Sequence, residues 1–312
     1  MPPDHPPASI TATPTSTSNR LLRWWPWLLL LLGALLWLGW HHAALEPGAG
    51  ADLGQALLAG VNTLLNSPVF WTAVLVGACA QLIDGAVGMA YGISSTTFLI
   101  GTGASPATAS AAVHIAEVFT TAASGTAHWR LGNVDRALFR RLVLPGMLGG
   151  VAGAWLLTNI DGDAIKPWVS AYLLALGLFI LVRAAREPRV HKTHRPPTHA
   201  LAAAGGFLDA TGGGGWGPLV TSTLLGQGRD PRTTIGTVNS AEFFIALATG
   251  GAFLLLGTAV AGETVAGLVL GGVLVAPFAA WLTRHLPARL LLGLVGTVVS
   301  TISAFNLLRS LA

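Results

Sequence analysis

Five stretches of this chain, Arg20 to Trp40, Leu142 to Leu157, Trp168 to Val182, Thr264 to Leu282 and Leu290 to Leu308, carry almost no charge. Each approaches the roughly 20 residues that cross a hydrocarbon core as helix. Hydrophobic residues make up 52% of the chain and charged residues 10%, whereas a soluble surface needs roughly a quarter charged. Tryptophans stand at several run ends (Trp24, Trp25, Trp40, Trp155, Trp168, Trp281), as interfacial aromatics do. These features exclude a soluble globular domain and require a polytopic membrane protein. The isoelectric point near 10.0 comes from basic residues in short loops. They read as orientation signals and not as a nucleic-acid surface. A single cysteine, Cys79, rules out an intramolecular disulfide.

Residues 1–19, rich in Pro, Ser and Thr, read as a disordered tail. Residues 20–41 read as a retained transmembrane anchor and 42–67 as an extracytoplasmic linker or interfacial segment. From there on the chain is duplicated. An offset of 125 positions brings Leu82 onto Phe207 and aligns 82–119 with 207–244 without a gap, about a third of the pairs being identical. Asp84 meets Asp209, Gly88 meets Gly213, Gly92 meets Gly217, Thr96 meets Thr221, Pro106 meets Pro231 and Glu117 meets Glu242. Two modules result, 68–185 and 199–312, joined by a basic linker at 186–198.

Each module opens with an apolar run ending at an aspartate and a glycine cluster, then a second run of about ten residues. Ten residues rise about 15 Å as helix, half a crossing, so a re-entrant broken-helix hairpin is predicted. Ser105-Pro106 and Asp230-Pro231 then read as an N-cap and proline starting a new helix. Three spans complete each module. The Arg-rich loop 128–141 and the basic linker should be cytoplasmic, as should the N-terminus. Three is odd, so the second module is inverted; its turn at 257–263 has no Lys or Arg, while Arg229 and Arg232 occupy the turn matching uncharged Ala104 to Thr108. The predicted fold is an all-α polytopic bundle of two inverted repeats, each a re-entrant hairpin plus three transmembrane helices, preceded by an extra N-terminal helix.

Inverted repeats with broken helices near mid-membrane are a recurrent plan for secondary transporters. The expected anion site lies on backbone N–H groups around Gly88, Gly92, Gly213, Gly214, Gly215 and Gly217, with Ser95, Thr96, Thr221, Ser222 and Asn239. Close helix crossing is the other use of such glycines, and hydroxyls also bond back to their own helix. No Lys-Ser/Thr follows the run GGGGWGP, which excludes a nucleotide loop. Glu117 and Glu242 sit deep in apolar helices, where an ionised carboxylate costs several kcal/mol unless paired, solvated or protonated. Together with His114, Asp84 and Asp209 they are the candidate proton-coupling groups. The alternatives are an interhelical hydrogen bond at His114 and Glu117 and helix capping at the two aspartates. One His and one Glu are too few ligands for a metal, and no cofactor is expected. No GxSxG or HExxH pattern is present, which ranks an intramembrane enzyme below transport; an anion channel is the nearer rival.

The stretches QLIDGAVGMAYGISSTTFL, SAAVHIAEVFTTAASGTAHWRLGNVD, FLDATGGGGWGPLVTSTLL and TIGTVNSAEFF resemble the TauE/SafE family of sulfite and organosulfonate permeases, from about residue 70 to the C-terminus. The resemblance implies a multi-pass permease of the inner (plasma) membrane, generally an exporter, for sulfite, sulfoacetate or a related organosulfur anion. Its partners would be that anion and membrane lipid, with a homo-oligomer left open and no nucleic acid.

Overall fold

The computed structural model describes residues 53–87, 89–186, 197–282 and 288–311, and all regular structure among them is helical. The expected tail 1–19 and anchor 20–41 lie outside the described residues, as do Gly88 and most of the basic linker. Helices α1 (Leu53–Asn66) and α2 (Pro68–Val87) meet at an angle of 75°. Pro68 has no N–H to continue the first helix, and the Ser67 hydroxyl accepts from the Phe70 N–H at 3.3 Å to start the second. After a short break comes α3 (Tyr91–Gly101), then α4 (Pro106–Arg130), α5 (Arg136–Asn159) and α6 (Gly162–Ala185).

The second half repeats this order. Helix α7 (Thr198–Gly212) breaks, a π-helical turn at Trp216–Thr221 runs into the five-residue α8 (Ser222–Gly226), and α9 (Pro231–Leu255), α10 (Gly262–Leu282) and α11 (Ala288–Leu311) complete the chain. Both half-helices end in a sharp turn, followed by the same kind of start. Ser105 Oγ accepts from the Thr108 N–H at 3.1 Å, and Asp230 Oδ2 from the Thr233 N–H at 2.9 Å.

Four helices, α5, α6, α9 and α11, are long and apolar enough to cross a membrane, or five spans if α1 and α2 count as one. Helix α4 has the length, 25 residues, but its Ser, Thr, His and Glu make it too polar for that class. It tolerates them because other helices surround it: α9 lies along it, and α3, α7 and α10 also touch it. The outer helices present the opposite face. Trp155, Trp168, Leu144, Leu148 and Phe305 are exposed, and Leu255 keeps 91% of its surface. So broad an apolar exterior suits lipid and no aqueous solvent.

The packing of the halves comes in matched pairs. Helix α2 runs parallel to α10, with Gly267 against Phe70 and Gly271 against Val74; α7 runs parallel to α5, with Gly149 against Ala203 and Gly153 against Phe207 and Ala210. A Cβ on Gly153 would lie 2.6 Å from the Phe207 carbonyl oxygen, so glycine sets how closely these helices approach. Helices α4 and α9 run antiparallel, Ile115 facing Gly250 and Gly125 facing Ser240, as do α6 and α11, where Gly177 meets Ser300. Where α4 and α9 cross, they bring the two breaks together.

Candidate functional site

The breaks are built by one device used twice. A helix interruption inside an apolar bundle leaves the first N–H groups of the next half-helix without partners. Asp84 Oδ1 accepts from the Ala90 and Tyr91 N–H groups at 2.7 and 3.2 Å. Asp209 Oδ1 accepts from Gly215 and Trp216 at 2.7 and 3.0 Å, the same offsets of six and seven residues. Helix α7 ends because Gly213 adopts φ 64°, the left-handed region that favours glycine. Its carbonyl accepts from Thr96 Oγ1 at 2.8 Å, and a Cβ there would strike the Thr96 side chain. The first break is thereby pinned to the second.

The chain's only two tyrosines serve these breaks. Tyr91 donates to the Leu268 carbonyl at 3.0 Å, and Tyr172, reaching over from α6, donates to the Gly214 carbonyl at 3.5 Å. Two phenols in otherwise apolar helices are the sequence signal that identifies them, since each buried hydroxyl needs a partner.

Between the breaks lies a small cavity of about 20 Å³, room for about one water. Asp84, Glu117, Asp209 and Glu242 all line it, with Gly92, Gly214, Gly215 and Gly217. Glu117 is 4% exposed and its carboxylate accepts no hydrogen bond among the described residues. A Cβ on Gly92 would come within 2.8 Å of Glu117 Oε1 and of the Gly213 carbonyl, so glycine keeps that corner open. His114, fully buried, approaches Asp209 Oδ2 through Nε2 at 3.3 Å.

Other expected residues lie off the cavity. Thr96 is engaged by Gly213. Ser95 and Thr221 are buried on the half-helices with hydroxyls that find no partner among the described residues. Ser222 accepts from Arg183 Nη1 and lies 3.8 Å from Met89 Sδ, and Asn239 donates to Ser124 Oγ at 3.1 Å. Gly88 lies outside the described residues. Sequence reasoning missed Met89, Tyr91, Thr120, Thr121 and Pro218 in the lining. Thr120 and Thr121 follow Glu117 by three and four positions, the helical spacing that places them beside it. It also missed that Asp209 joins His114 and Glu117: one ligand atom from each lies within 4.8 Å of the others, a set able to hold a metal ion.

Paired helix breaks enclosing carboxylates, inside a bundle with an apolar exterior, define a multi-pass membrane protein of the transporter type. The family model for the sulfite exporter TauE/SafE matches residues 73–306, and the chain belongs to that family of membrane transporters. A relative in Bacillus subtilis (strain 168), described as "Probable membrane transporter protein YtnM", is 44% identical over 242 residues, covering 75% of this chain and 81% of that protein. No solved structure matches the chain.

Proposed function

We propose that this protein is a proton-coupled secondary transporter that exports sulfite or a related organosulfur anion across the inner (plasma) membrane. Its two modules, 68–185 and 199–312, are inverted repeats, with the N-terminus, the loop 128–141 and the linker 186–198 cytoplasmic. The matched packing supports inversion: corresponding helices α4 and α9, and likewise α6 and α11, run antiparallel. So do the polar contacts at the helix ends, where Ser67 meets Glu263 and Thr158 meets Thr258 on one side, and Arg232 meets Asn133 on the other.

The observation that carries the coupling is the cavity lined by Asp84, Glu117, Asp209 and Glu242. Two unit charges about 6 Å apart repel by roughly 3 kcal/mol at an effective dielectric of about 20. An oxyanion entering beside several carboxylates therefore needs them neutralised. Proton uptake on Glu242 and Glu117, with His114, Asp84 and Asp209 around them, supplies that neutralisation and ties anion movement to the pH gradient. Movement of the halves that enlarges the cavity would bring the buried, unpartnered hydroxyls of Ser95 and Thr221, on the half-helices beside it, to the oxyanion as donors. Arg183, half-buried against Ser222, adds a positive charge on the cytoplasmic side of the second hairpin. A cavity of about 20 Å³ is too small for sulfite until the halves move, which favours a carrier over a channel.

Proteoliposomes test this directly. Wild-type protein should show saturable counterflow of labelled sulfite and acceleration by a pH gradient, and Glu242→Gln should lose the acceleration by more than tenfold. Sulfite, sulfoacetate and thiosulfate all failing to move would refute the anion assignment; flux indifferent to pH in both proteins would refute the coupling. Cysteines at positions 130 and 257 should label from opposite sides, and labelling from one side would refute inversion.

A further inference from the structure

We infer that His114, Glu117 and Asp209 form a binding site for one divalent first-row transition-metal cation at the second break. The surroundings of the imidazole fix its tautomer. His114 Nδ1 lies 2.8 Å from the Ser110 carbonyl oxygen, which only accepts, and 3.3 Å from Ser110 Oγ, whose own hydrogen goes to the Ala210 carbonyl at 2.6 Å. Nδ1 therefore carries a hydrogen, so in the neutral ring it is Nε2 that presents a lone pair. That lone pair faces Asp209 Oδ2 at 3.3 Å, a second acceptor. With the ring neutral, two acceptors face each other and need a cation between them, either a proton or a metal ion.

A single proton would satisfy this pair and leave Glu117 unserved. The Glu117 carboxylate, buried one turn along α4, accepts no hydrogen bond among the described residues, and its ligand atom lies with the other two inside 4.8 Å. A divalent ion serves all three groups, and its charge cancels both carboxylates. Two ligands at about 2.1 Å from one metal are roughly 3.0–3.4 Å apart, which matches the His114 to Asp209 spacing. The supporting contacts are those of a metal site. The histidine's other nitrogen donates to a backbone carbonyl, and Asp209 is fixed through Oδ1 by the Gly215 and Trp216 N–H groups. One nitrogen and two carboxylate ligands suit Zn²⁺, Co²⁺, Mn²⁺, Fe²⁺ or Ni²⁺.

The duplicated half has no counterpart. Asn239 stands where the offset would place the histidine, and its amide is turned to Ser124. The inference shares its cavity with the transport reading: when the metal is bound, proton uptake falls to Glu242 and Asp84, and Glu117, His114 and Asp209 are open to protons only in the metal-free protein.

Chelator-treated full-length protein in detergent, titrated with Co²⁺ and followed by equilibrium dialysis and visible absorption, tests the site. Wild-type protein should take up one Co²⁺ per chain. His114→Gln and Glu117→Gln should bind at least tenfold more weakly, and Glu242→Gln, on the same cavity, as tightly as wild type. If Glu117→Gln does not fold, Glu117→Asp keeps the charge, shortens the reach and should still weaken binding. Absence of Co²⁺ uptake by wild type, displacement of Co²⁺ by 100 mM Na⁺, or equal uptake by the His114 and Glu117 variants overturns the site. Co²⁺ binding without flux of sulfite, sulfoacetate or thiosulfate would sink the transport reading and leave the site; proton-driven flux without Co²⁺ binding would do the reverse.

Discussion

The two helix breaks share one capping device and differ in what covers it. At the first, Asp84 is half-buried and bonds the Ala90 and Tyr91 N–H groups. At the second, Asp209 makes the same two bonds and also meets His114 from the other half of the molecule. Duplication supplied the cap twice; divergence of the covering helix gave one copy a nitrogen ligand and the other an amide that turns away. The part common to both breaks holds the interrupted backbone together. The part found at one of them is where specific chemistry is to be sought.

Substituting the two caps is the hardest test of that division. Each unsatisfied buried N–H costs about 1–3 kcal/mol, so Asp84→Ala should destabilise by about 2–4 kcal/mol. Asp209→Ala loses the same bonds and strands His114 as well, and should cost about 1 kcal/mol more. Unfolding of purified protein by titrated denaturing detergent measures both. Equal losses would mean that the contact with His114 contributes nothing to stability. Gly213→Ala falls in the same range. The left-handed conformation costs a non-glycine residue about 1–2 kcal/mol, and the clash with Thr96 adds about 1–3 kcal/mol. Combining it with Thr96→Ala should recover only part of the steric cost, because the remaining Cβ at position 96 would still lie 2.6 Å from the new one, and none of the conformational cost, a partial rescue visible in the same unfolding assay.

Much of this plan is legible in the sequence because it is local and written twice. The ungapped offset, the aspartates before each glycine cluster, the Ser-Pro and Asp-Pro helix starts and the paired glutamates all concern residues a few positions apart. The hydroxyl assignments are less legible. Thr96 and Thr221 align in the duplication, yet neither lines the cavity. A half-helix has sides, and the π-helical turn at Trp216–Thr221 shifts which side each residue occupies, a feature without a period to read. Thr96 meets Gly213 across 117 positions, and His114 meets Asp209 across 95, so neither contact has a local signature. The polarity of helix α4 likewise reflects enclosure by other helices, which no local pattern records.

A smaller effect sharpens the asymmetry. His114→Asn gives the first module the residue that the second already has. The amide of an asparagine can donate to Asp209 and loses the bond to the Ser110 carbonyl, so the stability cost should be about 1 kcal/mol. If metal binding disappears at that small cost, the histidine is kept for its nitrogen. A loss as large as that of Asp209→Ala would instead mark it as a structural pin, and thermal unfolding beside Co²⁺ titration separates the two.

The smallest expected effect lies at the turns, where the halves start α4 and α9 with different caps. Ser105 does not titrate, whereas Asp230 does so in the acid range, and the Thr233 N–H and hydroxyl bonded to its carboxylate hold it below the usual aspartate range. A depressed folded-state value stabilises above the unfolded value near 4 and loses that stabilisation as pH falls through the folded value. Acidification should therefore loosen the start of α9 and spare that of α4. Hydrogen exchange across pH 3 to 6, corrected for the intrinsic pH dependence, should show the Thr233 amide losing protection while Thr108 keeps its own. Asp230→Ser should abolish the difference, because the two turns would then carry the same non-titrating cap.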